Sequence, residues 1–446
     1  MSTKSSPQGR RASEAPKGFL GAWEQLVGPR GVPALPPRRG RKPRVPVSDL
    51  LPALTFHVMN GPGTLAEHFF QLFGTSLADS SWSDRRARLP WEIFADLMRR
   101  TLRPRATRQQ PDAFWRGWRV LALDGTQFSL TNTSQITTTL GKARTRRGPA
   151  AFAKIAATVL LEVGLHNPLA AAIGRHGESE WDLAGSLLAQ VPTRAVVLGD
   201  RLYGCGPFAA RLAAACQRVG SHFLLRARTE IKPRVLRRLS DGSRLIRVSV
   251  RDRRRRGQMV QALELREIRV RVGRPGHRTS DLRLWTTLVD PRTAPALELV
   301  QVYARRWDHE LYFRQLKRQL RKTALLQSHT VETAAQEIAA LVLVSALIAA
   351  QRARVAGGHL PVLRVSFSKV VELVKPMWLT VQLGDGLLTN RQINTMLARA
   401  YNLMRHCVIP PRRPRTCPRA IRQPVSRWPR LLQTASIEGP FDFHIV

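Results

Sequence analysis

WRVLALDGTQFSL (residues 118–130) and RAVVLGDRLYG (residues 194–204) are the two stretches whose reading decides the fold. Each contains an apolar run that reads as a strand buried within a sheet, and each carries one aspartate, Asp124 or Asp200, at the end of that run. A carboxylate without a partner in such a place is costly, because a charge loses its water and gains nothing in return. Taken singly, either aspartate reads equally as a turn residue or a helix cap. Two of them on neighbouring central strands would sit close together, and bound Mg²⁺, which takes oxygen ligands, would relieve their repulsion.

Outward from these runs the pattern alternates. KIAATVLLEVGL (154–165) and NPLAAAIG (167–174) read as further strands, SEWDLAGSLLAQV (179–191) and GPFAARLAAACQRVG (206–220) as amphipathic helices, and SHFLLRAR (221–228) as another strand. Strands that first meander and then alternate with helices indicate an α/β fold with a mixed sheet. Residues 229–296 are β-like throughout, in runs such as RLIRVSVR and LRLWTTLVD separated by turn residues. A long helix without Gly or Pro is expected over 297–321.

These readings divide the chain into an α/β core (115–228 and 297–350) interrupted by a β-rich insertion (229–296). Before it come a basic flexible arm (1–46) and an N-terminal helical domain (47–105), to which only analogy gives a DNA-binding role. After it comes a C-terminal helical region with a Pro- and Arg-rich tail (351–446). Within the arm, Arg39-Gly40-Arg41-Lys42-Pro43-Arg44 reads either as a minor-groove hook or as ordinary basic tail. Residues 64–89 read as a helix-turn-helix turning Ser83, Arg85, Arg86 and Arg88 to DNA, or as a solvated basic helix face.

Charge narrows the partner. With 72 Lys and Arg against 31 Asp and Glu the net charge is +41, and only ten of the basic residues are lysine. Such an excess of planar guanidinium groups points to a polyanion, nucleic acid before membrane. Cys205, Cys216, Cys407 and Cys417 are sparse and lack zinc-knuckle spacing, which fits free thiols in a reducing cytoplasm. The start, MSTKSSPQGRRASEAPKG, has no apolar signal segment, and the longest uncharged apolar stretch, 338–350, is shorter than a membrane span and reads as a buried core helix.

The third acid lies in YARRWDHELYFRQLK (303–317). At about 100° per residue, Tyr303, Arg306, Glu310 and Lys317 fall on one helix face, one carboxylate beside three groups suited to phosphate. Without the aspartates the same helix would read as a surface with a Glu310–Arg314 pair. The spacing Tyr303-x2-Arg306-x3-Glu310-x6-Lys317 resembles the signature of the insertion-sequence-four family of DDE transposases. Asp124-Gly125-Thr126 and Gly199-Asp200-Arg201-x-Tyr203-Gly204 resemble that family's first and second catalytic blocks.

The resemblance implies a ribonuclease H-like core with a β-rich insertion before the glutamate. It implies metal-dependent DNA cleavage and strand transfer at the inverted-repeat ends of a mobile element, with Asp124, Asp200 and Glu310 holding two Mg²⁺ ions that Mn²⁺ can replace. Tyr303, Arg306, Lys317 and Arg226 would contact DNA phosphates, Arg226 reading alternatively as a strand-edge surface residue. Trp285 would stack on a flipped base, or else be a core tryptophan of the sheet. The implied partners are inverted-repeat and target DNA and a second copy of the chain, in a bacterial cytoplasm. A ribonuclease H-like nuclease without strand transfer and an inactive transposon-derived DNA-binding protein are the alternatives.

Overall fold

A computed structural model of the chain describes residues 18–29, 31–33, 45–145, 148–251, 259–273, 280–321, 323–384, 386–410 and 442–445. The hook at 39–44 and the Pro- and Arg-rich tail at 411–441 lie outside the described residues.

The centre is one mixed sheet. Its first five long strands are β1 (Trp118–Ser129), β2 (Lys154–Glu162), β3 (Asn167–Ile173), β4 (Ala195–Gly199) and β5 (His222–Arg226). They lie in the order β3-β2-β1-β4-β5, with β2 antiparallel to β1 and β3, and β1, β4 and β5 parallel. This is the ribonuclease H-like arrangement. Strand β4 is buried along its whole length, as a strand covered on both faces must be, and its sequence AVVLG is accordingly uniformly apolar. The β-like stretch that follows adds β6 (Arg234–Arg238), β7 (Arg244–Arg251), β8 (Met259–Gly273) and β9 (Ser280–Thr286) to the same sheet, β9 pairing with β5 through Leu284 and Arg226.

Alternation along β1 assigns its two faces. Val120 and Ala122 pack with Leu299 and Tyr303, whereas Leu121 and Leu123 pack with Ala184, Phe208 and Leu212 from two helices on the opposite side. The parallel register pairs Leu123 with Gly199, so Asp124 and Asp200 emerge side by side at the same end of adjacent strands.

The helices form a second body. N-terminal helices α1 (Gly18–Val27), α2 (Val47–Asn60), α3 (Leu65–Phe73), α4 (Asp79–Ala87) and α5 (Trp91–Thr101) precede the sheet. Helices α6 (Glu180–Leu187) and α7 (Gly206–Arg218) cover one sheet face. Next come α8 (Ala296–Ala304), α9 (Trp307–Arg314), α10 (Val331–Ala356), α11 (Phe367–Leu383) and α12 (Asn390–Arg405). Residues of α1 to α5, α10, α11 and α12 share one apolar cluster, so the N-terminal and C-terminal helices close around α10 together. Helix α10 is long and apolar enough to cross a membrane, yet 89% of its most apolar 18-residue window is buried in the structure, which makes it a core helix.

Three expectations are corrected. Residues 18–27 are a helix and not part of a flexible arm, because Phe19, Ala22, Trp23 and Leu26 recur at helical spacing and bury against α2 and α11, Phe19 lying 4.9 Å from Phe56 and 5.7 Å from Trp378. The basic face of α4 does not present all its arginines to a ligand. The Arg86 guanidinium turns inward to Ser328 Oγ (2.9 Å) and the Thr333 carbonyl (2.7 Å), and Arg85 lies over Trp82. The helix over 297–321 is interrupted: α8 ends at Ala304, Arg306 and His309 donate to carbonyls three residues back, and α9 passes into a π-helical turn over Gln315–Leu320. Neither Gly nor Pro marks the break. It coincides with tertiary contacts, Arg306 reaching β1 and the His309 ring bonding to the Val159 carbonyl at 2.9 Å.

Candidate active site

Asp124 projects from β1 toward α8 and α9, where Arg306 meets it. One guanidinium nitrogen, Nη1, donates to Asp124 Oδ2 and the other, Nη2, to Glu310 Oε1, both at 3.2 Å. Asp124 and Arg306 are largely covered, whereas the Glu310 side chain is 41% exposed and opens to solvent. Asp200 accepts the Leu202 amide at 2.7 Å, which pins its carboxylate at the start of the turn after β4. Burial raises the Asp124 carboxyl to about 7, with Asp200 and Glu180 pushing the same way and Arg306 opposing them. Beyond burial, two carboxylates, Asp200 and Glu180, act on Asp124 against a single arginine.

The other positions of the signature follow β1. Tyr303 is buried beside Arg306, and burial raises its phenol to about 12, so it stays protonated. Lys317 lies on the π-helical turn with Nζ 5.2 Å from the ring of Phe128, four residues beyond Asp124 on the same strand face, and burial lowers its ammonium. Arg226 ends β5 and lines a groove of about 530 Å³ with Arg201, Lys232, Arg269 and Arg283.

Trp285 does not have the open face that base stacking requires. It is fully buried in β9 among Leu225, Ile246 and Leu265, its indole N–H donates to Glu267 at 3.2 Å, and the Arg283 guanidinium lies 5.5 Å from its ring. The register that pairs Trp285 with Glu267 and Leu225 inside the sheet is the physical reason. An exposed ring beside the site belongs to Trp307, which follows Arg306 and is 54% exposed.

A fourth acid, Glu180, was not singled out from the sequence. It opens α6 after the N-cap Ser179, where an acidic residue is ordinary complement to the helix dipole, so composition gave no signal. Its Oε1 accepts the Tyr203 hydroxyl at 2.8 Å, and its charge acts on both Asp124 and Tyr203.

Among the described residues no three His, Cys, Asp or Glu side chains stand close enough to hold one ion as they are placed. The donor chemistry nonetheless fits a hard divalent cation: adjacent, partly buried carboxylates, an excess of negative charge, and a guanidinium occupying the space between Asp124 and Glu310.

Residues 115–347 match the family described as Transposase DDE domain. The chain is 25% identical over 325 residues to the Escherichia coli (strain K12) transposase InsG for insertion sequence element IS4, covering 72% of this chain and 71% of that one. A putative transposase InsZ of the same organism is 28% identical over 128 residues, covering 28% of this chain and 43% of that one. A cryo-EM structure of a piggyBac transposase synaptic complex with hairpin DNA aligns with a TM-score of 0.44 and 9% identity, over 87% of this chain and 82% of that chain.

Proposed function

The chain belongs to the Transposase DDE domain family, and on that premise we propose that it is a transposase of the insertion-sequence-four group in which Asp124, Asp200 and Glu310 are the carboxylates at which it cuts and rejoins DNA. The observation that carries the assignment is Arg306 joining Asp124 to Glu310 at a strand end where Asp200 stands alongside. DDE transposases generally use divalent metal ions, and two Mg²⁺ ions, replaceable by Mn²⁺, are the cofactors proposed here. When bound, such ions favour in-line phosphoryl displacement by activating the attacking oxygen and offsetting charge on the leaving one.

The chain's own residues do the rest. Asp124 and Asp200 supply fixed oxygen ligands from two hydrogen-bonded strands, a more rigid base than loops would give. Arg306, whose fork spans Asp124 and Glu310, has the bidentate guanidinium geometry suited to a phosphate. Tyr303 holds Arg306 from behind, Lys317 adds a cation beside Phe128 farther along β1, and Arg226 adds another at the end of β5. The substrates proposed are double-stranded inverted-repeat ends and target DNA, bound by a homodimer, with the high net charge supplying the sequence-independent part of the affinity.

The test is cleavage and joining of a duplex carrying the DNA that flanks the gene, with Mg²⁺ or Mn²⁺. Wild-type protein is expected to cut the element end and join it to a second duplex. Asp124→Asn, Asp200→Asn and Glu310→Gln are each expected to bind the duplex and leave it uncut. Undiminished cutting by any of the three overturns the assignment, and cutting without joining favours the nuclease alternative.

A further inference from the structure

Two residues of the catalytic blocks, Gly125 and Tyr203, both surround Glu180. A Cβ on Gly125 would collide with the Glu180 side chain, and the backbone at Gly125 is not in the left-handed region, so this glycine serves to make room and not to permit a turn. The Gly125 N–H donates to Asp124 Oδ1 at 3.0 Å and also faces the Glu180 carboxylate. Tyr203, fully buried, donates its hydroxyl to Glu180 Oε1 at 2.8 Å, while Oε2 lies on the Gly125 side. Glu180 thus reaches under the end of β1 from the sheet face opposite to Asp124, held by the Tyr203 hydroxyl and faced by the Gly125 N–H.

We propose that Glu180 is a positioning residue of the transposase site, anchored by Tyr203 and seated against Gly125 so that its carboxylate sets the placement of Asp124 and adds negative charge beside Asp124 and Asp200. The inference rests on the divalent-cation reading above. One peptide N–H lies between the Asp124 and Glu180 carboxylates, so moving one moves the other. A neutral residue at 180 would also remove part of the field that a divalent cation offsets. The arrangement gives the glycine of Asp124-Gly125-Thr126 and the tyrosine of the 199–204 block a shared task.

Glu180→Gln is the discriminating variant, because an amide keeps the volume but has only one acceptor, so it cannot satisfy Tyr203 and Gly125 together. Calorimetric titration of the full-length, DNA-free protein with Mn²⁺ is expected to show affinity roughly 10- to 100-fold weaker in Glu180→Gln than in wild type, the usual range for a residue that orients metal ligands. Its melting temperature without metal carries two opposed changes, a like charge removed and a hydrogen bond lost, so the Mn²⁺ affinity is the readout that decides. Tyr203→Phe, which keeps the carboxylate but removes its anchor, is expected to weaken Mn²⁺ binding in the same direction by a smaller factor.

A lowered melting temperature with unaltered Mn²⁺ affinity would make Glu180 a fold residue and overturn the proposal. If wild type binds Mn²⁺ and Asp124→Asn does not, while Glu180→Gln binds like wild type, only this inference fails. Equal Mn²⁺ binding by wild type, Asp124→Asn and Glu180→Gln would overturn the site assignment as well.

Discussion

Asp124 and Glu267 are both carboxylates on strands of one sheet, and they are treated in opposite ways. Glu267, fully buried on β8, accepts from Arg269 Nε at 2.8 Å on one oxygen and from Arg283 Nε at 2.6 Å and the Trp285 indole at 3.2 Å on the other. Glu162 on β2 is likewise surrounded by Arg119, Asn167 and the amides of Arg105 and Ala106. Asp124 has one arginine at 3.2 Å and two further carboxylates as neighbours, and burial first and then those carboxylates raise its carboxyl. A buried charge with a full set of donors belongs to the fold, whereas one left short of positive charge is poised for a cation that arrives from outside.

The comparison breaks most readily by exchanging readouts. Asp124→Asn should lower cleavage by about 10⁴-fold or more, the scale of losing a group that acts in the reacting assembly, with folding intact. Glu267→Gln should do the reverse. It leaves two arginines without their shared counterion, which typically costs ~3 to 5 kcal/mol of stability, and activity per folded molecule should persist. Chemical unfolding and single-turnover cleavage of both variants settle the matter, and a stable, inactive Glu267→Gln would erase the distinction.

Trp285 sharpens the same contrast. Truncating a buried tryptophan typically costs ~3 to 5 kcal/mol, so Trp285→Ala should unfold more easily and impair cleavage alike on paired and base-displaced ends. Retained stability with a loss confined to one kind of end would return the ring to DNA.

Much of this was legible in the sequence, for identifiable reasons. Asp124 and Asp200 stood out because each ends an otherwise apolar run, and Glu310 because its helix carries a fixed spacing of Tyr, Arg and Lys. The mixed α/β sheet followed from the alternation of period two with period 3.6. What escaped notice depends on tertiary contact. Glu180 looks like an ordinary first-turn acid until Gly125 and Tyr203 are seen around it. Arg86 looks like surface charge until Ser328 and Thr333 arrive from a stretch more than 240 residues away. The interruption at Arg305 and Arg306 has no Gly or Pro to announce it, and the first helix was hidden by the Pro- and Arg-rich segments on either side of GFLGAWEQLV.

The smallest expected effect is on stability and pH, and it probes the central claim without any DNA. Because the Asp124 carboxyl is raised to about 7 in the folded chain, its favourable contribution is full below the ordinary carboxylate range and is lost as pH rises through about 7. Metal-free Asp124→Asn should therefore melt above wild type at pH 8, with the difference fading as the pH is lowered below 7. The decisive measurement is the melting temperature of both proteins at pH 8 as Mn²⁺ is raised. Wild type should gain stability, about 2.7 kcal/mol at a hundredfold excess over the Kd, and Asp124→Asn should respond little. An equal gain in the two proteins would mean that the cation binds elsewhere and that the charge imbalance at Asp124 does not mark the site of chemistry.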